Sequence, residues 1–194
     1  MNETATRVRD PEATKARLLQ AATEEFAAHG IAGARIDRIA AAAKVNKAQI
    51  YSYYGDKDQL FDFVLDTHVS RVLDQVPFSA ADLPGYAGRL FDHLITHPHQ
   101  HRLASWHRLE RGGGRPATPG LLASVRDKVA EIAHAQAEGQ LPATLTAEDL
   151  VAFTIAVVTA WLPSFSMPLG GQAGDDLGRR RQAIMQAVTL LTGG

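Results

Sequence analysis

Residues 31–60, with the sequence IAGARIDRIAAAAKVNKAQIYSYYGDKDQL, decide the fold of this chain. Apolar residues recur at helical spacing over 36–43 and again over 50–54, which predicts two short amphipathic helices. A tight turn at 43–45 separates them, and Asn46 can cap the second helix. This layout is typical of a helix-turn-helix, a motif whose second helix enters the major groove of DNA.

The apolar pattern stays helical on both sides of this motif. A first helix is predicted to begin near Pro11 and end at Gly30, and residues 7–9 ahead of it are interpreted as a flexible arm. Pro- and Gly-rich stretches at 111–119 and 163–174 predict loops. Capping-box spacing marks two further helix starts: Asp56 with Gln59, and Thr146 with Asp149. No segment alternates with a period of two residues, so we expect an all-α chain of about nine helices.

The composition of the 194 residues excludes several classes of protein. An apolar fraction of 45 % is ordinary for a packed core and too high for a disordered chain. The absence of Cys excludes disulfides, zinc fingers, iron–sulfur clusters and thiol catalysis. The longest apolar run, 150–162, is shorter than the ~20 residues that cross a bilayer, and residues 1–15 lack the apolar stretch of a signal peptide. We therefore expect a cytoplasmic protein with no membrane partner.

The formal net charge of −1 at pH 7 is at first sight unfavourable for nucleic-acid binding. Residues 1–60 hold nine Lys or Arg and eight Asp or Glu, so this part of the chain is only slightly basic. Basic residues nevertheless cluster around the second helix of the motif: Arg35, Arg38, Lys44, Lys47 and Lys57. The placement of charge is therefore compatible with DNA binding of modest non-specific affinity.

A series of residues in and around the motif matches a known family in order. They are Phe26 and Gly30, then Ile36-Asp37-Arg38-Ile39-Ala40, Val45-Asn46-Lys47 and Ile50-Tyr51-Ser52-Tyr53-Tyr54, and finally Lys57 and Leu60. Over about residues 11–65 the chain thus resembles the TetR family of one-component transcriptional regulators. The resemblance implies a DNA-binding domain at 1–56 and a ligand-binding and dimerisation domain at 57–194. It also implies a homodimeric repressor that a small-molecule effector releases from a palindromic double-stranded DNA operator.

The chain departs from the usual pattern of the family at three positions. Arg35 stands where the family often has a Ser or Thr that caps the second helix, so we expect this cap to be lost. Lys44 stands where the turn often has Gly, and a non-Gly residue at positive φ costs about 1 kcal/mol. Ala48 also occupies a position where Gly is frequent.

The predicted DNA-binding residues lie on the two short helices, on their turn and at the start of the fourth helix. They are Arg35, Arg38, Lys44, Asn46, Lys47, Ala48, Gln49, Tyr51, Ser52, Tyr53 and Lys57. Tyr51 and Tyr53 are expected to donate their hydroxyls to phosphates, and Lys47 to reach a phosphate or a guanine. Gln49 has two open interpretations, because it can bond an adenine in the major groove or complete a capping box with Asn46.

The resemblance further implies an effector pocket in the larger domain. The residues predicted to line it are Leu65, His68, Phe91, Leu94, Leu103, Trp106, His107 and Phe153. The aromatic members of this set have a second interpretation as ordinary core residues. A bound effector is expected to favour one orientation of the fourth helix. This would change the separation of the two recognition helices of a dimer, the second helices of its helix-turn-helix motifs.

The dimer interface is predicted on the last two helices. Residues 147–162 are apolar nearly all round, and such a helix is buried on more than one side. A partner subunit most easily covers the second side, and the resemblance implies the same. The predicted interface residues are Val151, Ile155, Val158, Leu162, Ile184, Val188 and Leu191. A twofold dimer places its two recognition helices about 34 Å apart, which is one turn of B-DNA.

Three other interpretations stay open at this level. The same fold can serve a transcriptional activator. Five of the eight His lie between His93 and His107, so a metal-responsive sensor is an alternative to a solvated helix junction. A helical enzyme is remote, because the chain lacks Cys, a Gly-rich phosphate loop and a G-x-S-x-G motif, although His107 and Glu110 have the spacing of an acid–base pair. We predict no catalytic residue, no metal and no cofactor.

Overall fold

The computed structural model describes residues 11–112, 117–162 and 177–193. These residues form nine α-helices and no strand, which confirms the all-α prediction. The helices are α1 (Pro11–Gly33), α2 (Ile36–Ala43), α3 (Lys47–Tyr54), α4 (Lys57–Gln75), α5 (Leu83–Thr96), α6 (Pro98–Arg111), α7 (Pro119–Ala137), α8 (Ala147–Thr159) and α9 (Leu177–Leu191), with a 3-10 turn at Ala80–Asp82 before α5. Within the described ranges, no helix is both long and apolar enough to span a membrane. The predicted arm at 7–9 and loop at 163–174 lie outside the described residues.

The chain divides into two compact units. The first, called the head unit below, joins Met1–Leu65 to Leu103–Pro116, and the second, the body unit, joins Asp66–Arg102 to Ala117–Gly194. The head unit therefore contains the helix-turn-helix together with the second half of α6. The functional boundary between residues 56 and 57 stays a prediction.

Helix α1 extends one turn beyond its predicted end. Gly30 interrupts it with φ 70° and ψ −172°, and a further turn runs to Gly33. The regular part is held in the head core by Phe26, whose ring meets the ring of Phe61 edge-on with 5.2 Å between centroids. A positive φ of this kind suits glycine because it has no Cβ.

The helix-turn-helix forms as its local signals predict. Arg35 precedes α2 without a side-chain cap, and Lys44 ends α2 in the left-handed conformation, with φ 56° and ψ 44°. The N–H of Lys44 meets the carbonyls at the end of α2, which is how a left-handed residue terminates a helix. Ile39 and Ile50 bury the inner faces of α2 and α3. The side of α3 opposite Ile50 is thereby left at the surface of the head unit.

The body unit has its own core, built from α5, α7, α8 and α9. Its largest fully buried side chains include Leu83, Phe91, Ile132 and Leu150. Four residues predicted for the dimer interface belong to this core and are covered by their own chain: Val158, Leu162, Ile184 and Val188. The other three are half-buried around the same core: Val151, Ile155 and Leu191. The apolar character of α8 is thus partly explained within one chain.

Candidate nucleic-acid interface

The predicted DNA-binding residues lie together on the surface of the head unit. All of them are exposed except Lys57, which is half-buried. Of the two tyrosines in this set, Tyr53 is the more exposed, with 75 % of its surface accessible, and Tyr51 is exposed to 45 %. Ile50, between them and the core, is buried. Helix α3 therefore presents a polar and aromatic face while its apolar side anchors it.

The start of α3 is held by a complete capping box. Asn46 Oδ1 accepts the N–H of Ala48 at 2.8 Å, and Gln49 Oε1 accepts the N–H of Asn46 at 3.2 Å. The capping interpretation of Gln49 is thus confirmed. Its side chain remains exposed, so base reading by Gln49 stays a prediction.

Within the described residues, three of the five basic side chains around α3 form ion pairs or hydrogen bonds with other groups of the protein. Lys47 Nζ lies 2.8 Å from Asp37 Oδ1, and this hydrogen bond raises the pKa of Lys47. The guanidinium of Arg38 lies 2.6 Å from Glu25 Oε1. Lys57 Nζ donates to the carbonyl oxygens of two residues that precede α2.

The remaining two basic groups differ in this respect. The side chains of Arg35 and Lys44 make no hydrogen bond or ion pair within the part of the chain that the structure describes. Both are exposed. They can therefore meet a phosphate without first releasing a carboxylate.

Glu25 is a positioning residue that sequence reasoning missed. Its side chain is only 10 % exposed, and its Oε1 accepts the backbone N–H of Arg35 and the Nε of Arg38, both at 2.8 Å. Burial raises the pKa of Glu25, but the hydrogen bonds from Arg38 and Arg35 outweigh it and lower the pKa overall. An ionised Glu25 thus fixes the start of α2 to α1. Its position beside the buried Phe26 was the available signal.

The residues predicted for the effector pocket are divided between the two units. Leu65, Leu103, Trp106 and His107 belong to the head unit, and His68, Phe91, Leu94 and Phe153 belong to the body unit. Leu103 and Phe91 are fully buried, which favours the core interpretation of the aromatic Phe91. His107 is also buried, with its ring stacked on Phe61 at 6.4 Å between centroids.

Two further members of the predicted set, Trp106 and His68, have polar ring nitrogens. Trp106 Nε1 donates to the carbonyl oxygen of Ala27 at 3.2 Å, so the indole is part of the head unit. Burial lowers the pKa of His68 to about 4, which keeps this imidazole neutral at neutral pH. Phe153 differs from both, because 42 % of its surface is exposed.

The histidine-rich segment forms a packed junction between α5 and α6. His93 Nε2 lies 2.7 Å from Gln100 Oε1, and the rings of His93 and His97 stack with 4.3 Å between centroids. Among the described residues, no three His, Cys, Asp or Glu side chains come together in a way that could hold a metal ion. These contacts favour the junction interpretation over a metal sensor.

Comparison with known proteins identifies the family. A family model described as "Bacterial regulatory proteins, tetR family" matches residues 18–64, and one described as "Tetracyclin repressor-like, C-terminal domain" matches 82–189. The chain is similar to the HTH-type transcriptional repressor SCO4008 of Streptomyces coelicolor, with 41 % identity over 87 % of this chain and 90 % of that protein.

Solved structures agree with this assignment. The transcriptional regulator SCO4942 of Streptomyces coelicolor superposes with a TM-score of 0.79 at 35 % identity, covering 93 % of this chain and 98 % of that one. The regulator FadR of Bacillus subtilis, solved in complex with stearoyl-CoA, has the same fold, with a TM-score of 0.68 at 15 % identity over 90 % of this chain and 97 % of that one. The chain therefore belongs to the TetR family of bacterial DNA-binding transcriptional regulators, and it is not an enzyme.

Proposed function

We propose that the protein is a homodimeric repressor that binds a palindromic operator through α3 and is released by a small-molecule effector. The observation that carries this proposal is the exposed face of α3, with Lys47, Gln49, Tyr51 and Tyr53 held at the surface by the capping box and the buried Ile50. The similarity to a repressor over 87 % of the chain supports repression. The protein is proposed to act in the cytoplasm, where its operator is accessible.

The dimer interface is proposed on the faces of α8 and α9 that point away from the body core. On α8 this face carries Ala152, Phe153 and Ala156, and on α9 it carries Ala183 and Leu190; all five are exposed. Small residues let helices approach closely, while Phe153 and Leu190 supply apolar surface for a partner to cover. We call these five residues the outer face.

The predicted interface residues keep a supporting role in this proposal. Those in the body core hold α8 against α9 from behind, and the half-buried Val151, Ile155 and Leu191 border the outer face. A twofold axis through the outer face pairs it with its own copy, as an isologous interface requires.

The effector is proposed to release the protein from its operator through α4, the helix that follows the recognition helix α3. An effector that binds better to one arrangement of α4 shifts the population toward that arrangement. Operator binding is weakened by at most the ratio of the effector's affinities for the two arrangements. The fold shared with a regulator that was solved in complex with stearoyl-CoA supports a small-molecule effector.

The proposal is tested by measuring binding to the DNA that flanks the gene of this protein. In a fluorescence-anisotropy titration at physiological salt, a palindromic site in that DNA is expected to bind at least about 10³-fold more tightly than random duplex of the same length. Equal affinities for the flanking and the random DNA would contradict operator binding.

Substitutions on α3 are expected to separate phosphate contacts from base contacts. Tyr51→Phe removes a hydroxyl and should weaken binding to operator and random DNA by similar factors. Gln49→Ala should instead cost about 1–3 kcal/mol at one base pair and leave affinity for random DNA nearly unchanged. Gln140→Ala, an exposed glutamine in the body unit, is the matched control. A uniform loss in Gln49→Ala would assign this residue to capping alone.

Asp37 is expected to limit non-specific binding, because it holds the ammonium of Lys47. Asp37→Ala removes this 2.8 Å ion pair and a negative charge from the reading surface. Affinity for random duplex should rise, and the slope of log K against log salt should steepen by about 0.9, the value for one additional phosphate contact. Anisotropy titrations between 50 and 200 mM salt provide both values. Asp127→Ala, an exposed acid in the body unit, should change neither, and an unchanged slope in Asp37→Ala would refute this role.

A further inference from the structure

The turn that joins the break in α1 to α2 has no capping residue of its own. After Gly30 the chain continues with four residues whose side chains offer no donor or acceptor: Ile31, Ala32, Gly33 and Ala34. We call these four residues the connecting turn. A helix break leaves backbone N–H and C=O groups without intrahelical partners, so the connecting turn depends on side chains from elsewhere.

Two charged side chains supply the missing partners from opposite ends of the connecting turn. Glu110, on α6, accepts the N–H of Ile31 at 3.2 Å and the N–H of Ala32 at 2.7 Å. Lys57, on α4, donates to the carbonyl oxygens of Ala32 at 3.0 Å and Ala34 at 3.1 Å. Hydrogen bonds with an ionised partner are about twice as strong as neutral ones. The contacts of Glu110 and Lys57 therefore both stabilise the observed conformation of the connecting turn.

The contact of α6 with Gly30 leaves no space for a larger residue. A Cβ on Gly30 would overlap the Glu110 carboxylate and lie 2.9 Å from Trp106 Cε3. The same indole donates to the carbonyl oxygen of Ala27, one turn earlier in α1. The second half of α6 is therefore fitted to the break in α1, and Glu110 acts as an N-cap that another helix provides.

We propose that Glu110 is a positioning residue of the DNA-binding head, which holds the connecting turn and through it the placement of α2 and α3 without touching DNA. The inference rests on the proposed operator binding. Helix α2 begins two residues after the connecting turn, and Glu25 fixes its first residues to α1. The orientation of α3 relative to α1 thus depends on a carboxylate 78 residues further along the chain, outside the segment matched to the DNA-binding family model.

Operator binding of three full-length variants tests this role. Glu110→Ala removes both acceptors and should weaken operator binding at least about tenfold, which corresponds to the loss of one charged hydrogen bond at the low end of its range. Glu110→Gln keeps Oε1 as an acceptor for one N–H and should lie between Glu110→Ala and the wild type. Glu24→Ala removes an exposed carboxylate from α1 of the same unit and should stay within about twofold of the wild type. The salt slope should be the same in all variants, since no phosphate contact is lost.

Several results would overturn the inference. Operator affinity of Glu110→Ala equal to that of the wild type, an equal loss in Glu24→Ala, or a salt slope reduced in Glu110→Ala by about 0.9 would each do so. Binding by the wild type decides the proposed function separately, because the inference concerns only the differences between variants.

A spectroscopic measurement keeps the test decisive if Glu110→Ala does not fold. In the folded Glu110→Gln variant, the amide resonances of Ile31 and Ala32 should move, because their N–H groups exchange a carboxylate for an amide partner. The amides around Glu24 should stay in place. Unchanged resonances of Ile31 and Ala32 would refute the hydrogen bonds from these two N–H groups to Glu110.

Discussion

Replacing Arg111 by Met is expected to lower the free energy of unfolding by about 2–4 kcal/mol, because it breaks a buried charge cluster in the head unit. The Arg111 side chain is only 5 % exposed, and its guanidinium lies 2.7 Å from Asp58 Oδ1 and also pairs with Asp62. The guanidinium also lies 4.9 Å from the centroid of the Phe61 ring. Met retains much of the apolar packing, so the loss reports the charge.

The carboxylates that lose this guanidinium keep partial access to water, which limits the cost. Asp58 and Asp62 are partly exposed, so we expect less than the 3–5 kcal/mol of a fully buried broken pair. Urea unfolding followed by circular dichroism, at one fixed protein concentration, measures the difference.

The matched control for Arg111 is Arg108, which lies on the same helix. Arg108 is exposed and donates to Ser105 Oγ within the helix at 3.3 Å. Arg108→Met should change the free energy of unfolding by less than about 0.5 kcal/mol. A loss below 1 kcal/mol in Arg111→Met, or equal losses in the two variants, would show that the cluster contributes little to stability.

In the proposed dimer, replacing Phe153 by Asp is expected to separate the subunits into monomers and to weaken operator binding by about 100-fold or more. Phe153 lies on the outer face of α8, and a carboxylate placed there would be buried against its own copy across a twofold axis. A dimer binds two half-sites at once, so the separated subunits lose the gain in effective concentration that links the two heads. Sedimentation velocity and anisotropy measure the two effects.

Val125→Asp is the matched control for Phe153→Asp. Val125 lies on α7 and is 43 % exposed, almost the same as Phe153 at 42 %. It should leave both the dimer and operator affinity unchanged. If Phe153→Asp sediments as a dimer with wild-type circular dichroism, the outer face is not the interface.

Local signals in the sequence were sufficient to predict the helix caps. Asn46 with Gln49, Asp56 with Gln59 and Thr146 with Asp149 all form the expected reciprocal hydrogen bonds. Lys44 adopts the left-handed conformation expected at the turn. Each of these features joins residues at most four positions apart, so spacing along the chain specifies the geometry.

The long-range partners were not predictable in this way. Glu25, Glu110 and Arg111 lie among other charged residues in the sequence, and only folding brings them to Arg35, to the connecting turn and to Asp58. Glu110 has the spacing of a catalytic partner of His107, yet its carboxylate accepts two backbone N–H groups instead. A charge pattern shows that a side chain can form an ion pair, and not which group it meets.

By itself the sequence determined the all-α class, the helix-turn-helix and the exposed face of α3, because helical periodicity and caps depend on neighbouring residues. Only the tertiary structure decided which apolar faces are covered within one chain. Val158 and Ile184, predicted for the dimer interface, are covered within their own chain, and Phe153, predicted for the pocket, is 42 % exposed. Their roles in an interface and a pocket stay predictions. Periodicity identifies a side that avoids water, but burial depends on which helix packs against it, and that is set by contacts between residues distant in the chain.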